Sequence, residues 1–255
     1  MTKIKKGEIY KVEDHIIACG DSTDKEFVAK VIGKNKIRSI LTDPPYGVAY
    51  VEHKKEFVDI ANDKKIKGDE LQTEHEYTKF TQRWIEAIKP HLDKYNTFYI
   101  FNSDLMFLAL RTGIVLSGFH FSQTLIWLKN QAVMGRMDFL PQHELIAYGW
   151  YQRHKRERSP SKSLFIHPRP QKSKLHPTQK PIGLLRKIIP NSTRIGEYIY
   201  DGFLGSGSTA IASEQLGRKC IGIEFDPEYV EISIRRLEKL TKTKRLLIDN
   251  YEFRE

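Results

Sequence analysis

Cysteine is nearly missing from this chain of 255 residues, which has Cys19 and Cys220 alone. Each sits inside an apolar run, Ile16-Ile17-Ala18-Cys19 and Cys220-Ile221-Gly222-Ile223, so both read as small core residues and not as a disulfide or a metal site. The nine histidines lack any Cys/His ligand spacing, and no structural zinc or other metal is expected. No stretch approaches the roughly 18 apolar residues of a membrane span. The N-terminal Met1-Thr2-Lys3-Ile4-Lys5-Lys6 is charged with no apolar segment behind it, so the expected location is cytoplasmic. Acidic charge is also in deficit. Forty-two Lys and Arg face 32 Asp and Glu, for a net charge of +10 and a pI of about 9.4. A surplus of this size favours a polyanionic partner over a merely solvated basic surface.

What is present is an α/β pattern that fits a single domain over residues 1–255. Short apolar strands are expected at Glu8 to Val12, His15 to Cys19 and Ile37 to Leu41, with a helix between the last two at Lys25 to Ile32. Strand, helix, strand at this spacing is a βαβ unit and implies a parallel sheet. Residues 48–71 are polar and lysine-rich and read as a mobile loop beside the site, fit for a lid, with a disordered surface insertion as the alternative. Glu74 to Lys89 is helical, with Tyr77, Phe80, Trp84 and Ile88 on one face and Pro90 ending it. A strand at Tyr95 to Phe101 and a helix marked by Leu105, Leu108, Ala109 and Leu116 follow. Phe119 to Leu128 and Glu144 to Trp150 suit an antiparallel pair at one edge of the sheet.

The positive charge is concentrated in residues 151–176, where Arg153, Lys155, Arg156, Arg158, Lys162, Arg169, Lys172 and Lys174 face one acid, Glu157. His154, Phe165 and His167 lie among them, and cations interleaved with rings suit phosphates and exposed bases. This stretch is expected to be a DNA-binding, target-recognition insertion; the plainer alternative is a solvated linker.

Two motifs carry the chemistry. The first, Thr42-Asp43-Pro44-Pro45-Tyr46-Gly47, follows the Ile37 to Leu41 strand. Two prolines stop the strand, fix the backbone and remove competing N–H donors. Asp43 and the Asp43 and Pro44 carbonyls then offer acceptors beside the flat Tyr46 ring. Acceptors next to an aromatic face suit a planar group bearing –NH2, such as a flipped-out adenine or cytosine. Taken alone, the tetrapeptide also describes a strand capped by a turn.

The second motif lies far along the chain. A strand at Glu197 to Tyr200 runs into Asp201-Gly202-Phe203-Leu204-Gly205-Ser206-Gly207-Ser208-Thr209, a helix from Ala210 to Leu216, and a strand from Lys219 to Phe225 that contains Glu224. A glycine turn after a strand lets backbone approach a nucleoside, and an acid seventeen residues beyond Gly207 can accept from ribose hydroxyls. The glycines fall as G-x-x-G-x-G, the wrong order for a pyrophosphate turn, and Asp201 would repel a pyrophosphate. An acid there fits an amino group or a sulfonium, and so S-adenosylmethionine better than NAD.

Together these residues resemble the amino-group DNA methyltransferases, the adenine-N6 and cytosine-N4 family, in the β-class order with Asp-Pro-Pro-Tyr first and Phe203-Leu204-Gly205-Ser206-Gly207 last. Gly20-Asp21, Trp127-Leu128-Lys129-Asn130 and the segment from His176 to Pro181 also look like family motifs in place. The resemblance implies a doubly wound, seven-stranded, mostly parallel α/β sheet with one antiparallel strand, the Rossmann-like methyltransferase fold. It implies that Asp43, Pro44, Pro45 and Tyr46 are catalytic. It further implies that Asp21, Thr178, Lys180, Asp201, Phe203, Gly205, Ser206, Gly207 and Glu224 bind the cofactor. The expected reaction is methylation of adenine N6 in double-stranded DNA. Cytosine N4, an RNA amino group or a protein glutamine are alternative targets, and a catalytically silent nucleic-acid-binding module is the alternative from another class. The family usually has proline where this chain has Gly202. Related enzymes are often dimers, which makes a homodimer one expectation and a separate restriction nuclease as partner another.

Overall fold

The structure, a computed structural model, describes residues 4–47, 71–132, 138–158, 161–169 and 179–252. Its centre is one sheet of ten strands: β1 (Glu8–Val12), β2 (His15–Cys19), β3 (Ile37–Thr42), β4 (Leu92–Asn102), β5 (His120–Leu128), β6 (His143–Trp150), β7 (Leu164–Ile166), β8 (Tyr198–Asp201), β9 (Lys219–Glu224) and β10 (Leu246–Asn250). Their order across the sheet is β10-β1-β2-β9-β8-β3-β4-β6-β5-β7. The run from β2 to β4 is parallel, and β6 is antiparallel to both its neighbours. The seven strands from β2 through β5 are the expected doubly wound sheet with its one antiparallel member. Three more strands lie outside them. β1 and β10 extend one edge antiparallel, and β7 extends the other parallel to β5. The β5–β6 pair is therefore not at the edge as expected, because β7, inside the basic stretch, covers it.

Helices cover both faces. α1 (Lys25–Ile32), α2 (Glu74–Ile88) and α3 (Phe107–Leu116) pack on one side, where Phe27, Val31, Trp84, Ile88, Leu110 and Ile114 share a core with Ile40, Phe98 and Ile100 of the sheet. α4 (Ile182–Ile188), α5 (Ser208–Gln215) and α6 (Pro227–Thr241) pack on the other, through Leu184 and Leu185 and through Ala210, Val230, Ile234 and Leu237. α2 begins where Thr73 and Glu76 form a reciprocal capping box, worth about 1 kcal/mol for the hydroxyl cap. α3 forms where Leu105, Leu108, Ala109 and Leu116 mark a helix, with Leu105 just before its start; its buried stripe is Ala109, Leu110, Gly113 and Ile114, while Leu108 and Leu116 are exposed. Apart from Arg111 and Thr112 the helix is apolar, with leucines and Val115 on its exposed side, so hydrophobic periodicity marks its faces only weakly. Gly113 sets the orientation, since a Cβ there would come within 2.7 Å of the Thr81 side chain on α2. Cys19 and Cys220 are free and fully buried core residues. Among the described residues no helix is long and apolar enough to cross a membrane.

Candidate active site

In an open parallel sheet, ligands bind at the carboxyl ends of the strands where the winding reverses. Here that point lies between β8 and β3. From β8 the chain passes through α5 to β9 on one side, and from β3 it passes to β4 on the other. The two motifs emerge from these adjacent strands. Thr42 Oγ1 donates to Asp201 Oδ1 at 2.7 Å, across 159 residues of sequence, and both residues are buried. The Asp-Pro-Pro-Tyr turn and the glycine loop thus open into one mouth.

On the β3 side, Tyr46 folds back so that its hydroxyl donates to Asp43 Oδ1 at 2.8 Å. Asp43 Oδ2 accepts from the Lys180 ammonium at 2.5 Å. Lys180 also reaches Glu144 Oε2 at 3.1 Å, and Glu144 Oε1 is held by Lys129 at 2.9 Å. Two acids and two lysines form a charge-balanced chain, with the Lys180 ammonium 5.2 Å from the Phe101 ring centroid. Burial pulls the Lys180 pKa down, but Asp43 and Glu144 outweigh it and keep the ammonium charged. Burial likewise pushes Glu144 up, yet Lys180 and Lys129 hold it below the usual carboxylate range. For Asp43 the balance goes the other way. Burial raises its carboxyl, Lys180 pulls against it, and the Glu144 charge adds to burial. Burial and the Asp43 charge raise the Tyr46 phenol, which stays a donor.

On the β8 side, Asp201 also accepts from the Phe203 amide at 3.1 Å, and burial raises its carboxyl to about 6. Glu224, ending β9, accepts from the Gly205 amide and the Asp226 amide, each at 2.8 Å, and burial lifts it to about 7. Gly205 and Gly207 adopt left-handed φ of 54° and 84°, and a Cβ at Gly207 would press on the Ser233 side chain at 2.7 Å. Asp21 follows β2, beside β9, and caps its own turn by accepting from the Thr23 amide. Gly202, in place of the family's proline, has its nearest neighbours at Tyr200 Oη and the Ser22 side chain, 3.1 and 3.2 Å from where a Cβ would sit. Buried Tyr200 Oη and Trp84 Nε1 have no hydrogen-bond partner among the described residues. Two buried acids, a backbone cradle without side chains and unpaired polar atoms fit a cationic nucleoside-bearing ligand.

The structure also redistributes several expected roles. Lys180 is brought to Asp43, Tyr46 and Glu144. The Ser206 hydroxyl and carbonyl both accept from Arg236 on α6, which pins the loop from behind. The Phe203 ring packs on Phe80 and Trp84 of α2, at centroid distances of 5.7 and 5.9 Å. Glu144 and Lys129 were not anticipated. The one hint was an acid heading an otherwise apolar strand, with Lys129 inside a family-like motif. The basic stretch is divided in space. Arg153 bridges to Tyr95 at the start of β4, and Glu157 binds Arg38 at the start of β3, so Arg153, Lys155, Arg156 and Arg158 lie at the amino end of the sheet, away from Asp43. β7 then carries the chain back up, and the Arg169 amide donates to Asn130 Oδ1 beside Lys129. Thr178, Lys172, Lys174 and all but Leu71 of the 48–71 loop lie outside the described residues. Gly47 and Gln72, which flank that loop, are hydrogen-bonded at 2.9 Å beside Tyr46.

Residues 37–235 match the DNA methylase family, a span that holds both motifs and the strands that join them. The chain belongs to that family. The Type II methyltransferase M2.DpnII of Streptococcus pneumoniae is 26% identical over 236 residues, covering 84% of this chain and 88% of that protein. Among solved structures, the M1.HpyAVI–SAM complex superposes with a TM-score of 0.64 at 24% identity, covering 86% of this methylase and 98% of that chain. The cytosine-N4-specific PvuII DNA methyltransferase does so with a TM-score of 0.71 at 17% identity, covering 91% and 92%. At these identities the two structures bear on the fold, which they share with this methylase.

Proposed function

We propose that this methylase transfers a methyl group from S-adenosylmethionine to the exocyclic amino group of adenine, N6, at specific sites in double-stranded DNA. The observation that carries the reading is the buried Thr42–Asp201 hydrogen bond, which brings the acceptor turn and the glycine loop to one mouth. Glu224 would accept from the ribose, Asp21 from the cofactor adenine, and Asp201 would face the methionine end. When bound, the cofactor supplies an electrophilic methyl on a sulfonium. An exocyclic amine is a poor nucleophile, because its lone pair is delocalised into the ring. Asp43 and the Pro44 carbonyl would each accept a hydrogen bond from one of its two N–H groups, drawing the nitrogen toward tetrahedral geometry and freeing the lone pair; as the methyl arrives one proton would leave toward Asp43 and on to water, while the other N–H stays on the product. Asp43 is held for this by Tyr46 and Lys180, so most of the rate enhancement would come from preorganised acceptors. Tyr46 would offset part of the few kcal/mol lost on unstacking the base. Adenine is favoured because the family resemblance pairs Asp in this motif with adenine more often, and Ser with cytosine N4.

The test is methyl transfer from labelled S-adenosylmethionine to duplex DNA, followed by nucleoside mass spectrometry. The expected product is N6-methyldeoxyadenosine. N4-methyldeoxycytidine would overturn the choice of base. Labelling of RNA or protein in place of DNA would overturn the substrate class.

A further inference from the structure

The cations at the amino end of the sheet are not scattered. Arg156, Arg158, Ser161 and Phe165 line an open cleft of about 1170 Å³ together with Arg186, Lys187 and Asn191 from α4 and the turn after it. The single acid on its wall, Glu157, is claimed by Arg38 and Arg194, each at 2.7 Å. Among the described residues Arg156, Arg158 and Arg186 have no acidic partner. Four cations around one open cleft repel one another unless a polyanion neutralises them.

The cleft extends from the amino end of the sheet up to β7. Its lower end is level with Arg38, five residues before Asp43 along β3, which is about 17 Å of strand. Its upper wall is β7, where Lys187 donates to the Ile166 carbonyl at 3.4 Å. From there the chain reaches Arg169 and Asn130, next to Lys129 of the catalytic charge chain. A span of about 17 Å matches roughly five base pairs of duplex at 3.4 Å each. We infer that this cleft holds the phosphate backbone of duplex DNA flanking the target, so that the basic stretch clamps DNA outside the site instead of surrounding the flipped base.

The inference rests on the proposed function, and the test separates the two. One target site, found by sequencing duplexes that the protein selects by binding, is placed in a duplex with about 4 flanking base pairs on each side and in another with about 15. The cleft term follows phosphate neutralisation, so the combined variant Arg156→Ala/Arg158→Ala/Arg186→Ala should lose about tenfold or more of long-duplex affinity near 0.1 M salt, with a salt slope smaller by about 2 to 3. Binding and methylation of the short duplex should stay within about twofold of the parent protein. Unchanged long-duplex affinity and salt slope would overturn the clamp, as would an equal loss on both duplexes. If the combined variant does not fold, Arg158→Glu alone, read on the same pair, should weaken the long duplex only. Absence of methylation by the parent protein, with length-dependent binding intact, would instead strike the proposed function.

Discussion

Glu144→Gln isolates the part of the active site that no motif announces. The substitution keeps the shape of the side chain and removes its charge. Lys129 then loses its carboxylate, and Lys180 keeps Asp43 as its one anionic partner among the described residues. Both lysine side chains are 8% exposed, so the stranded charge is poorly solvated. Breaking a buried pair from one side costs about 3–5 kcal/mol; with Asp43 still paired and an amide left to accept, about 2–4 kcal/mol is expected here. For a chain of this length that lowers the melting temperature by about 5–12 °C. The effect on rate follows from position. Lys180 fixes Asp43 Oδ2, and Glu144 fixes Lys180 from the other side. Misplacing the acceptor by about 1 Å costs up to about 100-fold, so kcat should fall about 10- to 100-fold while cofactor affinity is kept. The pH profile supplies a second reading. Burial raises the Asp43 carboxyl first, Lys180 opposes it, and Glu144 adds to the rise; Asp201, Tyr46 and Tyr77 also face this cluster. Without the Glu144 charge, burial alone opposes Lys180, the Asp43 carboxyl falls, and the acid limb of kcat moves to lower pH. Glu144→Asp should restore part of the rate. A variant with unchanged melting temperature, kcat within twofold and an unmoved acid limb would refute the argument.

Other outcomes follow from the cofactor side. Glu224 and Asp201 carry raised carboxyls, near 7 and 6, because they are buried; both must be ionised to accept from a ribose or face a sulfonium. Affinity should therefore rise from pH 5.5 to 8, and calorimetry in buffers of different ionisation enthalpy should detect release of about one proton at pH 6.5 and almost none at pH 8.5. A pH-independent affinity would remove these two acids from the binding site. Gly207→Val forces a β-branched residue into a left-handed φ and against Ser233, so cofactor binding should be lost by calorimetry; wild-type affinity would exclude the loop from the site. Thr42→Val removes the hydroxyl that bonds Asp201 and should weaken cofactor binding about 5- to 50-fold, as for a buried carboxylate losing one donor.

Much of this was legible in the sequence because the two motifs encode backbone events. A double proline, and glycines with left-handed φ, leave local marks, and the winding that makes β8 and β3 neighbours is what the family resemblance implied. What was hidden depends on partners far away in sequence. Glu144 looks like an ordinary strand-leading acid until β6 runs antiparallel beside β4 and brings its first turn level with Asp43. The basic stretch reads as one electrostatic unit, yet Glu157 is drawn down to Arg38 and β7 climbs back along β5, so a continuous run of charge divides between opposite ends of the sheet. β7 has three residues and β10 is exposed along its whole length, too little alternation to announce a strand. In α3, whose exposed side carries Leu108, Val115 and Leu116 beside Arg111 and Thr112, hydrophobicity marks the core face weakly, and the approach of Gly113 to Thr81 shows which side packs inward.

The most direct measurement compares wild type and Asp43→Ala in two assays on the same preparations: methyl transfer from S-adenosylmethionine to duplex DNA, and calorimetric binding of the cofactor. If Asp43 is the acceptor and the glycine loop holds the cofactor independently, transfer disappears and binding persists within a few-fold. Sustained transfer by the alanine variant would contradict the mechanism at its centre.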